Sequence, residues 1–103
     1  MRETVILVFF DVPVATCEDR RSYRKFRVGL KKGGYTMLQK SVYYKLLVNV
    51  SLWRSERKKV SAIVPAEGNV LLLPVSLRQF SRMTCLVGVP FPFLELCSPI
   101  IEI

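Results

Sequence analysis

Among the side chains that could do chemistry, Asp11 has the most distinctive setting. Six consecutive apolar residues, Val5 to Phe10, lead into it, and Val12-Pro13 follow it directly. A carboxylate there stands where a buried strand opens to solvent, a place suited to holding a cation. The competing reading is a turn residue whose carboxylate bonds its own backbone ahead of Val12-Pro13. Other chemistries narrow quickly. The chain has no histidine, which excludes Ser-His and Cys-His triads and imidazole-ligated metals. Catalysis would therefore rest on carboxylates, a metal ion or lysine. Cys17, Cys85 and Cys97 are far apart and form no CxxC spacing. That argues against a disulfide framework or a zinc site and for small hydrophobes in a reducing compartment.

The second chemical signal is charge. Sixteen Lys and Arg stand against eight Asp and Glu, a formal net charge of +8, which favours polyanionic partners, chiefly nucleic acid. Seven of the sixteen fall between Arg20 and Lys32. At helical spacing Arg20, Arg24, Arg27 and Lys31 make one ridge, with Arg21, Lys25 and Lys32 beside it. A merely solvated helix face mixes both signs, yet beyond its first turn this segment has no acid. Arg54, Arg57 and Lys58 share the exposed side of a second expected helix. These ten residues are the candidate phosphate contacts.

The elements that must position these groups can be read from periodicity. At 103 residues and half hydrophobic, the chain is one folded domain rather than a disordered segment. No apolar run is long enough to span a membrane and no leader pattern opens the chain, so a cytoplasmic protein is expected. Thr4 to Phe10 reads as a central strand, apolar on both faces. A helix is expected from Cys17 to Lys32, opened by a capping box between Thr16 and Asp19 and ended by Gly33-Gly34. Its core stripe is Tyr23, Phe26 and Leu30. Strands follow over 35–39 and 41–47, joined tightly or through a bulge near Lys40. A second helix spans about 52–63, with Leu52, Trp53, Val60, Ile63 and Val64 as its apolar side.

After a turn at Pro65-Ala66-Glu67-Gly68-Asn69, Val70 to Val75 is a further strand, which Pro74 assigns to a sheet edge. Ser76 and Gln79 make a capping box for a short helical turn, and Thr84 to Gly88 reads as another strand. The order β-α-β-β-α-β with an extra C-terminal strand predicts an α+β, ferredoxin-like sandwich with both helices on one face. Residues 1–88 form this domain. Residues 89–103 are a C-terminal extension with three prolines, two acids and no base. They are expected to be buried, with Ile100 to Ile103 a strand against a sheet edge, in this subunit or a second one.

Several stretches stand in a familiar order: Val8-Phe9-Phe10-Asp11-Val12-Pro13, the run Asp19 to Arg27, Met37 to Leu46, Pro65-Ala66-Glu67-Gly68 and Gln79-Phe80. Together they closely resemble the CRISPR-associated Cas-two family of the kind found in type II systems, over about residues 1–88. The resemblance implies a ferredoxin-like subunit that forms a homodimer and partners the CRISPR integrase in capturing spacers. It also implies C-terminal strands packed across the dimer, and a metal-dependent endoribonuclease or deoxyribonuclease activity. The family's metal-binding aspartate maps onto Asp11, as both metal ligand and catalytic residue, with Mg2+ or another divalent cation.

One aspartate is a poor site by itself, and a two-fold axis near Asp11 would supply a second. The primary expectation is a homodimeric scaffold for duplex DNA in spacer acquisition, carrying an endonuclease site whose activity is dispensable for that role. The alternatives are a dedicated metal-dependent endoribonuclease or DNase, and a generic RNA-binding ferredoxin-like module. The last lacks the glycine-aromatic strand signature of RNA-recognition domains. Ser41 and Tyr43 are candidate supporting residues that packing explains equally well, and Tyr23 reads as core rather than base-stacking.

Overall fold

A computed structural model describes residues 3–88 of the chain. Its elements are β1 (Thr4–Asp11), α1 (Cys17–Lys32), β2 (Thr36–Gln39), β3 (Val42–Leu47), a 3₁₀ turn (Val50–Leu52), α2 (Trp53–Ser61), β4 (Asn69–Ser76) and α3 (Leu77–Ser81). The sheet runs β2-β3-β1-β4 with every pairing antiparallel, so the architecture is the expected α+β, ferredoxin-like one. β1 lies between two partners, as its apolar run requires. β4 is an edge strand that carries Pro74, as expected. Among the described residues no helix is long and apolar enough to cross a membrane.

Each side of β1 packs on a different layer. Ile6, Val8 and Phe10 meet Phe26 and Leu30 of α1, Val60 of α2, and Tyr43 and Leu47 of β3. The Phe10 ring organises this layer at the end of the strand. Phe26 stands edge-on to it at 5.2 Å, with Tyr43 at 5.7 Å and Tyr23 at 6.1 Å between centroids. Val5 and Leu7 point the other way and pack on Phe80 of α3. Both capping boxes form. Thr16 Oγ1 accepts from the Asp19 N–H at 2.9 Å, and Ser76 Oγ accepts from that of Gln79 at 3.0 Å. A register shift between Met37 and Gln39 supplies the bulge before β3.

Three expectations are corrected. Thr84 to Gly88 is not a strand: it runs as coil and bend, with Leu86 and Val87 almost wholly exposed. An apolar stretch without a neighbouring strand has no ladder to join. Cys17, read as a small hydrophobe, is exposed in the first turn of α1. The inner face of α2 also differs from the apolar stripe read from the sequence. Leu52, Ile63 and Val64 are exposed, and the inward positions are Trp53, Glu56 and Val60, at i, i+3 and i+7. The C-terminal extension and its Ile100–Ile103 strand lie outside the described residues.

Glu56 is thus a carboxylate in the helix-sheet layer, 6% exposed, and it is fully partnered. Lys45 Nζ donates to its Oε2 at 3.0 Å, Tyr35 Oη donates to Oε1 at 3.2 Å, and Lys59 lies 3.7 Å away. Lys45 also donates to the Gly33 carbonyl at 2.8 Å, so one lysine ties β3 to both the end of α1 and α2. Glu56→Ala, which leaves Lys45 and Tyr35 unpaired, is expected to lower unfolding free energy by about 2–4 kcal/mol in urea titrations. Lys59→Ala, at an exposed partner, should change it by under about 0.5 kcal/mol.

Burial, then the Glu56 charge, then the hydrogen bond to it raise the Tyr35 phenol above its ordinary value. Folding therefore disfavours the phenolate. This contribution is intact below about pH 10, where the unfolded phenol also keeps its proton, and declines above it. Melting temperature is expected to fall less steeply above pH 10 in Tyr35→Phe than in the wild type, when each is compared with its own value at pH 8.

Candidate metal and nucleic-acid sites

β1 extends one residue further than its apolar run, so Asp11 is a strand residue, exposed and paired in register with Asn69 at the start of β4. Asp11 is therefore not the turn residue that the competing reading required. Phe10 N–H donates to the Ser41 carbonyl at 3.1 Å, just before β3. Asp11 therefore sits between the beginnings of both neighbouring strands. Phe9, Phe10, Asp11, Ser41, Val42, Asn69 and Leu71 line one recess of about 250 Å³.

Ser41 thus stays beside Asp11, whereas Tyr43 is 1% exposed in the helix-side core and is removed from the candidate set. Asn69 was not anticipated. Its signal was available: antiparallel pairing sets the first residue of one strand opposite the last of its neighbour.

Among the described residues no other acid joins Asp11. Glu18, Asp19 and Glu67 line a separate recess of about 360 Å³ between α1 and the turn before β4, with Ser22 and Tyr23. Asp19 is moreover committed to the α1 capping box. Among the described residues no cluster of three or more His, Cys, Asp or Glu could hold a metal. The oxygen chemistry of Asp11, Asn69 and Ser41 fits Mg2+, which takes one or two carboxylates and keeps several waters, better than a metal that needs a protein cage.

Asp11 also marks the rim of an open surface. Alternation puts Val5, Leu7, Phe9 and Asp11 on one face of the sheet, with Val42, Tyr44 and Leu46 of β3 and Asn69, Leu71, Leu73 and Val75 of β4. α3 covers one end of this face, where Phe80 stacks on Tyr44 at 5.3 Å. No described residue covers the other end: Leu71 is 65% and Leu73 47% exposed.

The cations occupy the opposite side. α1 and α2 both pack on the Ile6-Val8-Phe10 face, so their outer surfaces point away from the recess of Asp11. Arg21, Arg24, Lys25, Lys31 and Lys32 of α1 and Arg54, Arg57 and Lys58 of α2 are exposed. Salt bridges among the described residues are those of Glu56 with Lys45 and Lys59, and none engages these eight. Lys25 and Lys32 border an apolar groove between α1 and residues 62–66.

Two members of the ridge are partly occupied. Arg20 donates to the Val14 and Ala15 carbonyls at 3.2 and 3.3 Å, bracing the loop before α1. Arg27 is half-buried, with its guanidinium 5.4 Å from the centre of the Tyr23 ring. Tyr23 itself is partly buried against Phe10, as the core reading expected.

Residues 4–83 match the family described as CRISPR associated protein Cas2. Among curated proteins, one from Acidovorax ebreus (strain TPSY) named CRISPR-associated endoribonuclease Cas2 is 42% identical over 85 residues, 82% of this chain and 83% of that protein. A protein of the same name from Treponema denticola is 42% identical over 83 residues, 81% of this chain and 82% of its own length. Another from Ligilactobacillus salivarius (strain UCC118) is 36% identical over 83 residues, again 81% and 82% of the two chains.

Proposed function

The chain belongs to the CRISPR associated protein Cas2 family, and from that premise we propose that it acts as a homodimeric, duplex-DNA-binding subunit of spacer acquisition, partnered by the CRISPR integrase and carrying a metal-dependent nuclease site at Asp11. The observation that carries this reading is the separation of chemistry across the sheet. Unpaired cations line the outside of the helices, whereas Asp11 faces the other side, at the rim of an open apolar surface. Phosphates held along α1 and α2 are not delivered to Asp11, so gripping a duplex and hydrolysing a phosphodiester are separable tasks.

A second copy is the proposed cover for the open face. Leu71, Leu73, Phe9 and Val42 form a continuous apolar surface of the kind that marks subunit interfaces. A two-fold axis across it would bring two Asp11 carboxylates together, with Asn69 and Ser41 as neutral oxygen groups nearby. Bound there, Mg2+ would supply an activated water and charge neutralisation at phosphorus. The chain's own part is to hold carboxylates at the end of a rigid strand and to present an apolar floor that limits bulk water. Hydrolysis adds that water across one P–O bond, leaving a phosphate monoester and a hydroxyl group.

The names of the relatives favour a second reading, in which cleavage of RNA is the main purpose. Asp11→Ala separates the two. On the scaffold reading it removes metal-dependent cleavage by more than the roughly 100-fold that loss of a ligand-orienting group costs, while duplex affinity and spacer acquisition stay at wild-type level. Acquisition lost together with cleavage would establish the enzyme-first reading instead.

The cationic surface makes a separate prediction. Arg20 and Arg27 have local partners, so Arg24, Lys25 and Lys31 are the informative positions. Their triple replacement by Gln is expected to weaken binding to all duplex sequences alike. The slope of log K against log salt should flatten by about 0.9 for each phosphate that is no longer neutralised. An unchanged slope would remove α1 from the interface.

A further inference from the structure

We infer that Gly68 is a positioning residue for Asp11, an inference that rests on reading Asp11 as a cation ligand. Gly68 has φ +103°, a backbone conformation that side-chain-bearing residues rarely adopt. A Cβ built on it would lie 2.7 Å from the Asp11 carbonyl oxygen, 2.8 Å from Val12 Cα and 2.9 Å from Val12 Cγ1. Two of these three atoms are backbone and cannot rotate aside. The turn before β4 therefore rests directly on the main chain where β1 ends, at a distance only glycine permits.

The other positive-φ glycines lack this property. At Gly34, φ +95°, a Cβ would meet only the flexible Lys45 side chain, at 3.4 Å and beyond. At Gly88 it would meet nothing within 4 Å. The close approach is thus particular to the strand tip, not a general feature of turns in this fold.

The opposite flank of the tip is restrained as well. Ser41 is the sole non-glycine residue with positive φ among those described, at 66°, and its carbonyl accepts from Phe10 N–H. A non-glycine residue keeps such a conformation when its surroundings over-determine it. Ser41 stands just before β3 and Gly68 just before β4, the two strands that flank β1. The peptide carrying Asp11 is held from both sides by the entries of its neighbours. A free strand end frays, and a carboxylate on it would lose the fixed direction that metal coordination needs.

The test uses the full chain and Mn2+ alone, followed by paramagnetic broadening of backbone amides in 1H–15N spectra. In the wild type, broadening is expected at residues 10–12 and 68–69. Asp11→Ala should abolish it; persistence there would overturn the ligand reading of Asp11 itself. Gly68→Ala should raise the Mn2+ concentration for half-maximal broadening about tenfold. Gly34→Ala bears a comparable backbone strain away from Asp11 and should leave that concentration within about twofold of wild type. Gly68→Asn accepts positive φ more readily than alanine but still places a Cβ against Asp11, so it should match Gly68→Ala. Wild-type Mn2+ response in the Gly68 variants, equal weakening in Gly34→Ala, or failure of both Gly68 variants to fold would each overturn the inference.

Discussion

The central strand imposes the condition that the rest of this molecule answers. Val5 to Phe10 is apolar on both sides of the pleat, so both faces of the sheet have to be taken from water. At about 25 cal/mol for each Å² of apolar surface removed, leaving either side of such a strand wet would forfeit much of a small domain's stability. The chain places its two longer helices on one side, where Phe10, Phe26, Leu30, Tyr43 and Val60 close a continuous core. For the other side the described residues supply only α3, whose Phe80 shields Val5 and Leu7 but stops short of Leu71 and Leu73. Fold and assembly are therefore one problem: the element that makes the monomer fold also creates the surface that the proposed homodimer covers.

Charge follows the same division. Because the helices share one sheet face, their outer sides form one surface, and the exposed cations of α1 and α2 gather there outside the salt bridges found among the described residues. The buried carboxylate among the described residues, Glu56, is engaged by Lys45 and Tyr35 beneath this surface. It serves instead as a tie between α2, β3 and the end of α1, which keeps the spacing between the two cationic helices constant. A surface of like charges repels itself, and that repulsion would tend to splay the helices. A buried, hydrogen-bonded ion pair beneath them opposes this with geometry that salt screens far less than it screens the surface.

Much of this was legible in the sequence because the relevant signals are local. Thr16 with Asp19, Ser76 with Gln79, and Gly33-Gly34 state helix limits through short-range hydrogen bonding and backbone freedom, and α1 spans Cys17–Lys32 as read. The failures are those of context. Glu56 could not be picked out locally, because its partners Tyr35 and Lys45 lie 21 and 11 residues away. A stripe read from apolar residues alone includes Leu52, Ile63 and Val64, which are exposed, and passes over the inward Glu56. Thr84 to Gly88 has strand composition, but composition says nothing about whether a free edge lies within reach. At the site, Asp11 was evident from the interruption of an apolar run. Asn69 depended on register, and the role argued for Gly68 depended on a close approach that no sequence pattern encodes.

The solitary position of Asp11 bears on how metal and assembly would depend on each other. Glu18, Asp19 and Glu67 belong to another recess, so the described residues of a single chain would offer a cation one carboxylate and neutral oxygens. Two chains meeting on the open face would offer two carboxylates, and without a cation these would repel each other. A metal bound there would then do more than assist hydrolysis. By binding the proposed dimer more tightly than the separated chains, it would add to the apolar burial of Leu71 and Leu73 in favouring association. Linkage would make this reciprocal: the factor by which metal strengthens association is the factor by which association strengthens metal binding. A partner that clamps the two subunits together would thereby raise occupancy at Asp11 without touching it.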